Sequence, residues 1–237
     1  MPSKIRVAIL DDHQSIIDGY VYRISSVPYI EIVATAIYGE ELEPMLESHG
    51  VDVLLLDISV PNSAGNDNPF PILYIIPRLL QRHPGLRILA ISMYTQRSLI
   101  EAFVNAGISG YIFKDDQASI QQLAKIVEIV AGGGIYFSQG AYRDLRGEAG
   151  KPFLTPRQLE VLSLCAAHPD GDSAALADKL GITSSTLRNL LSEAYLRLGV
   201  RTRAAAIAKA HRLGIFPTLP NAPATVEEIL KKPKSKR

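Results

Sequence analysis

The amino-acid sequence predicts an α/β domain, built on a doubly wound five-stranded parallel sheet, followed by a small all-helical domain. Over residues 1–134, five short apolar segments alternate with five helical patterns, as in a parallel sheet with helices on both faces. From residue 154 onward the pattern is helical throughout. The net charge also changes, from −6 over residues 1–150 to +4 over residues 151–216, so we expect the second domain to face a polyanion.

Composition limits the class of protein. The chain has 237 residues, of which 47% are apolar and 21% charged, which suffices for one large or two small folded domains. Its single cysteine, Cys165, excludes a disulfide framework or a site with several thiolate ligands. The sequence has no apolar run of about 18 residues and no signal-peptide pattern at its start, so we expect a cytoplasmic protein without membrane contact.

The five strands are predicted from apolar runs that are nearly continuous, which is typical of strands buried on both faces. They are Ile5–Leu10, Tyr29–Ala36, Val51–Leu56, Arg87–Ile91 and Ser109–Phe113. Helical patterns lie at residues 14–26, 39–48, 71–82, 97–106 and 117–131. Pro77 is expected to shorten or kink the third of these helices.

The first domain is expected to end near residue 137, because three glycines at 132–134 terminate its last helix. Residues 138–152 are polar and glycine-rich and predict a linker. The helical domain is expected over residues 153–216. The Pro-rich and then Lys-rich residues 217–237 predict a flexible basic tail.

Within the helical domain, residues of the types that cap helices lie where new helices would begin. Thr155, Asp172 and Thr183 each suit the N-cap position, and Gly181 suits the end of a helix. Helices at 172–180 and 183–198, joined by a Gly-Ile turn, form a helix-turn-helix pattern.

Polar or charged residues end the apolar strands. These residues are Asp11, Asp12, Asp57, Ser92 and Lys114. Because the carboxyl ends of parallel strands meet at one edge of the sheet, the side chains should lie close together. Crowded carboxylates repel one another, and a divalent cation with hard oxygen ligands, Mg²⁺, removes that conflict. A single Asp at a strand end is usually a turn former or a helix cap, but five matching strand ends favour aspartyl phosphate chemistry.

Residues 1–134 resemble a CheY-like receiver domain, a flavodoxin-like module of bacterial two-component response regulators. The resemblance rests on VAILDDH at 7–13, VDVLLLDISVP at 51–61, ILAIS at 88–92 and AGISGYIFKD at 106–115. It implies that Asp57 accepts a phosphoryl group from a cognate sensor histidine kinase.

The same resemblance assigns the other residues of the site. It implies that Asp12, Asp57 and the backbone carbonyl of Ser59 bind Mg²⁺, with Asp11 acting through water. It makes Ser92 and Tyr111 a switch pair, in which Tyr111 turns inward on activation, and Lys114 the residue that contacts the phosphoryl group. One departure is the stretch from Asp57 to Ser92, which is several residues longer than usual. NDNPFP at 66–71 is the expected insertion, with consequences for the rim of the site.

The second helix of the helix-turn-helix carries a polar outer side. Its side chains are Ser184, Ser185, Arg188, Asn189, Ser192 and Arg197, and basic residues continue in Arg201 and Arg203. Arg and Asn can bond bidentately to guanine and adenine, and hydroxyls at a helix N-terminus can bind phosphates. The plain alternative is a solvated helix face.

This region resembles a LuxR-type DNA-binding domain, through LTPRQLEVLSL at 154–164, LADKLGITSSTLRNLLSEAYLRLGV at 176–200 and RTRAAAIAKA at 201–210. With the receiver, the whole chain is similar to NarL/FixJ-class response regulators. The resemblance implies double-stranded DNA as partner and a homodimer on activation. It also implies that Arg188, Asn189 and Ser192 approach bases, while Arg197 and the helix N-terminus, including Thr186, contact phosphates. Leu190 and the HPDGD segment at 168–172 depart from the family pattern.

Two other functions stay open. A Mg²⁺-dependent phosphatase of the haloacid dehalogenase type would have a second Asp at position 59, where this chain has Ser. The other is a regulator that works independently of phosphate, with the receiver as a dimerisation or ligand-sensing module. Only the insertion supports it. We therefore expect a regulator and not an enzyme.

Overall fold

The structure is a computed structural model that describes residues 4–146 and 154–213. The expected tail at residues 217–237, and residues 147–152 of the expected linker, lie outside the described residues.

Six parallel strands form the central sheet. They are β1 (Ile5–Leu10), β2 (Ile30–Ala36), β3 (Val53–Asp57), β6 (Arg87–Ser92), β7 (Gly110–Phe113) and β8 (Tyr136–Phe137), in the spatial order β2-β1-β3-β6-β7-β8. The first five confirm the predicted doubly wound sheet. The strand count of five was one too low, because the two residues of β8 are too few to give a periodic pattern.

The expected insertion forms a β-hairpin. Its strands, β4 (Pro61–Ser63) and β5 (Asn66–Pro69), pair antiparallel and are separate from the main sheet. The backbone N–H of Phe70 donates to the carbonyl of Val60 at 2.9 Å and closes the base of the hairpin. The irregular segment therefore begins earlier in the chain than the NDNPFP stretch suggested, only four residues after Asp57.

Helices cover both faces of the sheet. They are α1 (Gln14–Ile24), α2 (Leu42–Ser48), α3 (Ile72–Arg82), α4 (Arg97–Ala106), α5 (Gln117–Gln121) and α6 (Leu123–Ala131), and a 3₁₀ turn at Gly39–Glu41 precedes α2. The helix predicted over 117–131 is interrupted at Gln122, whose φ and ψ of −99° and 16° are not helical. Pro77 lies inside α3, which nevertheless extends over eleven residues.

The strands alternate between two apolar layers. Val7 and Ile9 of β1 pack with α1 and α6 on one face, whereas Ala8 and Leu10 belong to the core on the other face. All four side chains are fully buried. The continuous apolar runs of the sequence therefore arise because each face of the sheet needs its own apolar residues.

The expected linker contains a helix, α7 (Gln139–Arg146), which packs on α4 and β7. Ser138 fixes its start, since its backbone N–H donates to the Tyr111 carbonyl at 3.0 Å and its hydroxyl accepts from the Phe113 N–H at 3.2 Å. A Cβ on Gly140 would lie 2.7 Å from the Phe113 ring. Close packing explains this glycine, which lies in a segment whose composition predicts a linker.

The helical domain consists of α8 (Pro156–Ala167), α9 (Ser173–Lys179), α10 (Ser184–Leu198) and α11 (Arg203–Arg212). The three predicted N-caps are confirmed: the side chains of Thr155, Asp172 and Thr183 accept from backbone N–H groups at 3.3, 2.7 and 3.1 Å. Gly181 adopts the left-handed conformation between α9 and α10, with φ of +62°. The helix-turn-helix pattern is therefore present in the fold.

Candidate functional site

The strand-ending carboxylates meet at the point where the strand order reverses. Asp11 follows β1 and Asp57 ends the adjacent β3, so both lie at the carboxyl edge of the sheet. Oxygen atoms of Asp11, Asp12 and Asp57 and a ring nitrogen of His13 all lie within 4.8 Å of one another. Asp11 and Asp57 are buried, so the sheet concentrates negative charge in a place with little access to water.

Lys114 bridges the two buried carboxylates. Its Nζ lies 2.6 Å from Asp57 Oδ2 and 2.7 Å from Asp11 Oδ2, and its side chain is 9% exposed. The other oxygen of Asp57, Oδ1, accepts from the backbone N–H of Ser59 at 3.1 Å. One ammonium group is thus shared by two carboxylates, and the cluster retains excess negative charge.

The pKa values of Asp57 and Lys114 follow from this arrangement. Burial raises the pKa of Asp57 to about 6. The positive charge of Lys114 opposes this increase only in part, and the negative charge of Asp11 adds to it. Burial would lower the pKa of Lys114, but the charges and hydrogen bonds of Asp57 and Asp11 outweigh it, so that the pKa is raised. The surroundings of Asp57 therefore do not fully offset the cost of burying its ionised carboxylate.

The third carboxylate, Asp12, has a different partner. Its Oδ1 lies 2.6 Å from Nδ1 of His13, and the backbone N–H of His13 donates to Asp11 Oδ1 at 3.0 Å. His13 is not among the predicted site residues. Its place directly after two aspartates at a strand end could have identified it as part of the site.

A cavity of about 270 Å³ lies over the acidic cluster and opens to solvent. It is lined by Asp12, His13, Asp57, Ser59, Met93, Tyr94 and Lys114. Met93 and Tyr94 were not predicted as wall residues, although they directly follow Ser92, the polar end of β6. A space of this size beside Asp57 can admit a phosphoryl group from outside.

The donor set fits a magnesium ion. Three carboxylates from two adjacent strand ends offer hard oxygen ligands at close range, and their charge exceeds that of the single ammonium group beside them. For Ser59, the structure describes the contact of its backbone N–H with Asp57, and its carbonyl as a ligand stays a prediction.

The two residues of the expected switch pair lie on neighbouring strands and are fully buried. Ser92 ends β6, and its hydroxyl accepts from the Tyr94 N–H at 3.0 Å. Tyr111 donates from its hydroxyl to the Tyr94 carbonyl at 2.9 Å. Burial raises the pKa of Tyr111, while the Ser92 hydroxyl opposes that effect. Tyr111 thus already has the inward position that the sequence analysis associated with activation.

The polar outer side of α10 faces solvent. Leu187, Leu191, Ala194 and Leu198 are buried, whereas Ser185, Thr186, Arg188, Asn189, Ser192 and Arg197 are exposed and Ser184 is half-buried. Arg201 is exposed beyond the helix. Arg203 differs, because its guanidinium donates to the Gly171 carbonyl at 2.6 Å and so is partly engaged within the domain.

Residues 7–128 match the response regulator receiver domain family, which is just over half of the chain. The chain is also 33% identical to the transcriptional regulatory protein MctR of Rhizobium johnstonii, over 90% of this chain and 95% of that protein. It belongs to the NarL/FixJ class of response regulators. It is 29% identical to the probable transcriptional regulatory protein NarL of Mycobacterium tuberculosis, over 89% of this chain and 95% of that one.

Solved structures support the fold of this response regulator. RcsB from Salmonella enterica serovar Typhimurium, solved bound to promoter rprA in the presence of a phosphomimetic, has a TM-score of 0.62. Its sequence identity is 20%, and the match covers 87% of this chain and 98% of that chain. The receiver match and the transcriptional regulators to which the chain is similar together show a two-component regulator of transcription, in which a receiver domain precedes a DNA-binding helix-turn-helix domain. In the part of the chain that the structure describes, no helix has the length and apolar character needed to cross a membrane.

Proposed function

We propose that this response regulator is switched by phosphorylation of Asp57, with a sensor histidine kinase as the donor and DNA binding as the output. The observation that carries the proposal is the position of Asp57. Its carboxylate is buried at the end of β3, lies 2.6 Å from the Lys114 ammonium, and lines a cavity that opens to solvent.

The chemistry is the transfer of one phosphoryl group. A carboxylate oxygen of Asp57 forms a bond to phosphorus while the bond from phosphorus to the donor histidine nitrogen breaks, and the imidazole leaves with the electron pair. Asp57 must be deprotonated to attack. Mg²⁺, held by Asp11, Asp12, Asp57 and the Ser59 carbonyl, would supply positive charge that offsets the carboxylates and the transferred group.

Lys114 changes partner as a result of the transfer. The acyl phosphate brings about two negative charges to Asp57, and its oxygens accept hydrogen bonds. The Lys114 ammonium, already 2.6 Å from Asp57 Oδ2, is placed to donate to one of them while it keeps Asp11 as its second partner. The Ser92 hydroxyl, which now accepts from the Tyr94 N–H, would turn toward another phosphoryl oxygen.

The output is proposed to be binding of a homodimer to double-stranded DNA. Arg188, Asn189 and Ser192 would approach bases, and Arg197, Arg201 and the start of α10, at Ser184, Ser185 and Thr186, would contact phosphates. Support comes from the exposure of this side of α10. Arg203 is proposed to contribute mainly charge, since part of its guanidinium is engaged with Gly171.

The test is intact mass after incubation with acetyl phosphate and Mg²⁺. We expect one adduct of about 80 Da on the wild type and none on Asp57→Ala. Oligomeric state and DNA affinity should then increase in the phosphorylated form. An adduct that persists in Asp57→Ala, or an adduct without any effect on either property, would contradict the proposal.

One observation favours a second candidate, a receiver that acts without phosphate. Tyr111 is already buried and bonded to the Tyr94 carbonyl, so the inward position does not need a phosphoryl group to hold it. That candidate predicts that a beryllofluoride mimic changes neither oligomeric state nor DNA affinity. Enzymatic turnover is not part of either proposal, and the absence of phosphomonoester hydrolysis should be measured directly.

A further inference from the structure

The helical domain packs directly on the receiver domain. Helix α8 lies against α3, α4 and β5 of the hairpin. Ser163 of α8 shares a small cavity with Leu73 of α3, Phe103 of α4 and Phe70 behind the hairpin, and Ile58 forms another part of its wall. The contact therefore includes Ile58, which is the residue next to Asp57.

A polar contact from α3 reaches the helix-turn-helix itself. The Tyr74 hydroxyl donates to the backbone carbonyl of Lys179 at 2.6 Å, and an Arg78 guanidinium nitrogen donates to the same carbonyl at 2.7 Å. The guanidinium carbon of Arg78 also lies 4.3 Å from the centre of the Tyr74 ring, which holds the two side chains together.

The accepting carbonyl has a special position. Lys179 is the last residue of α9, and the final carbonyls of a helix lack partners within the helix and carry its negative dipole end. Donors from the receiver domain therefore complete the end of the first helix of the helix-turn-helix. Arg157 of α8 donates to the next carbonyl, that of Leu180, at 3.3 Å.

The contact lies just before the turn that sets the direction of α10. Leu180, Gly181 and Ile182 form this turn, and α10 begins at Ser184. The Ile182 N–H donates back to the Ala177 carbonyl at 3.0 Å. Fixing the end of α9 thus fixes one side of a turn whose last residue, Ile182, lies two residues before the first residue of α10.

The packed arrangement leaves that side of α10 open. Arg188, Asn189 and Ser192 are exposed although the domains are in contact. Among the described residues, receiver side chains engage α8 and the end of α9, and the polar outer side of α10 is not covered. Contact between the domains is therefore compatible with DNA binding.

We propose that Tyr74 and Arg78 are positioning residues for DNA recognition, through which the receiver domain holds the helix-turn-helix in its DNA-binding arrangement. The inference rests on the proposed function and specifies how the receiver acts on the DNA-binding domain. Docking supports sequence-specific binding and does not inhibit it.

The connection to the phosphoacceptor runs through packed residues. Ile58 follows Asp57 directly and is buried at the domain contact. Phe103, on the other side of the same cavity, lies 6.3 Å from the Tyr111 ring between centroids. A residue next to Asp57 and a ring beside Tyr111 thus both line the surface on which α8 rests.

The experiment compares full-length variants by fluorescence anisotropy. The probes are a labelled duplex that the beryllofluoride-treated wild type selects from a random pool, and an unselected random duplex. The variants are Tyr74→Phe, Arg78→Ala, their combination and Arg78→Lys. Arg82→Ala is the matched control, because Arg82 lies on the same helix but pairs with Glu43 at 2.8 Å within the receiver domain.

We expect the double variant to bind the selected duplex about tenfold more weakly, since it loses two hydrogen bonds, one from a charged donor. Binding to the random duplex should not change, because phosphate contacts alone carry it. Arg78→Lys should recover part of the loss, and Arg82→Ala should behave as wild type. The Asp57 adduct should form normally in every variant.

Unchanged affinity of the double variant for the selected duplex would overturn the inference, and tighter binding would show that docking is inhibitory. Equal losses on both duplexes would also overturn it, because they indicate general damage to the domain. Failure of the proposed function has a different signature, since the wild type itself would then select no duplex or form no adduct.

Discussion

Replacement of Asp57 by Asn should stabilise the receiver domain at neutral pH, even though it removes the proposed phosphoacceptor. Asn has nearly the shape of a protonated Asp and carries no charge. The substitution therefore removes the cost of holding an ionised carboxylate beside Asp11 in a buried site, which the shared Lys114 ammonium does not fully offset.

The magnitude follows from the pKa of Asp57. Burial raises it from 3.8 to about 6, Lys114 opposes this increase and Asp11 adds to it. At about 1.4 kcal/mol for each tenfold change in proton affinity, the difference corresponds to about 3 kcal/mol. Above pH 7, Asp57→Asn should accordingly raise the free energy of unfolding by about 3 kcal/mol.

The pH dependence has a definite sign. Because the pKa of Asp57 is higher in the folded state, the folded protein binds more protons than the unfolded chain between about pH 4 and pH 6. The stability linked to this group is fully present below about pH 4 and is lost as the pH rises through 6. The advantage of Asp57→Asn should therefore shrink toward zero as the pH falls to about 4.

The assay is urea unfolding followed by circular dichroism, in buffer with a metal chelator, at pH values from 4.5 to 7.5. Asp67→Asn is the matched control, because it makes the same chemical change at an exposed position of the hairpin. Equal stability of wild type and Asp57→Asn at pH 7.5, or an advantage that grows as the pH falls, would refute the electrostatic account of the site.

Three other predictions concern the metal, the hairpin and the DNA interface. Mg²⁺ at ten times its dissociation constant should stabilise the wild type by about 1.4 kcal/mol and Asp57→Asn by less, as measured by thermal unfolding with and without the ion. Gly39→Ala should destabilise the receiver domain by about 1–3 kcal/mol in the same assay, because its Cβ would lie 2.0 Å from the Phe70 ring and displace the base of the hairpin; an unchanged melting temperature would contradict this. Arg188→Ala should weaken binding of a selected duplex by about 1–3 kcal/mol and relax preference at one base position, whereas Arg201→Ala should weaken selected and random duplexes alike and reduce the salt dependence.

Much of the fold was predictable because its determinants are local. The apolar runs of the five long strands and the capping residues Thr155, Asp172 and Thr183 act within a few residues of their position, and the structure has them where the pattern indicated. The gathering of Asp11, Asp12 and Asp57 followed from a rule of parallel sheets and from the family resemblance. The same rule places Lys114, which follows β7, at this edge of the sheet, but the sequence did not indicate that its ammonium would pair with both Asp11 and Asp57, because that depends on side-chain geometry.

Two segments have secondary structure that their composition did not predict, and the cause is the same in both. Residues 138–146 contain glycine and polar residues, which favours a loop on composition alone, yet Gly140 is small because the Phe113 ring lies against it. The hairpin looks equally loop-like, and its packing depends on Gly39, which lies in a different part of the sequence. Composition cannot distinguish a glycine selected for flexibility from one selected for close approach, because the partner that makes the difference is distant in the chain.

The packing between the domains gives the insertion a physical role. The hairpin begins four residues after Asp57, and its second strand, β5, lies against α8. It therefore joins the acidic cluster to the helical domain over a short distance along the chain. Ile58 and Phe103 both lie in the wall of the shared cavity, so a shift at Asp57 or Tyr111 would alter the surface that supports α8. Packed interfaces respond to such shifts by changing between discrete arrangements, so the hairpin is well placed to pass a change at the site to the helix-turn-helix.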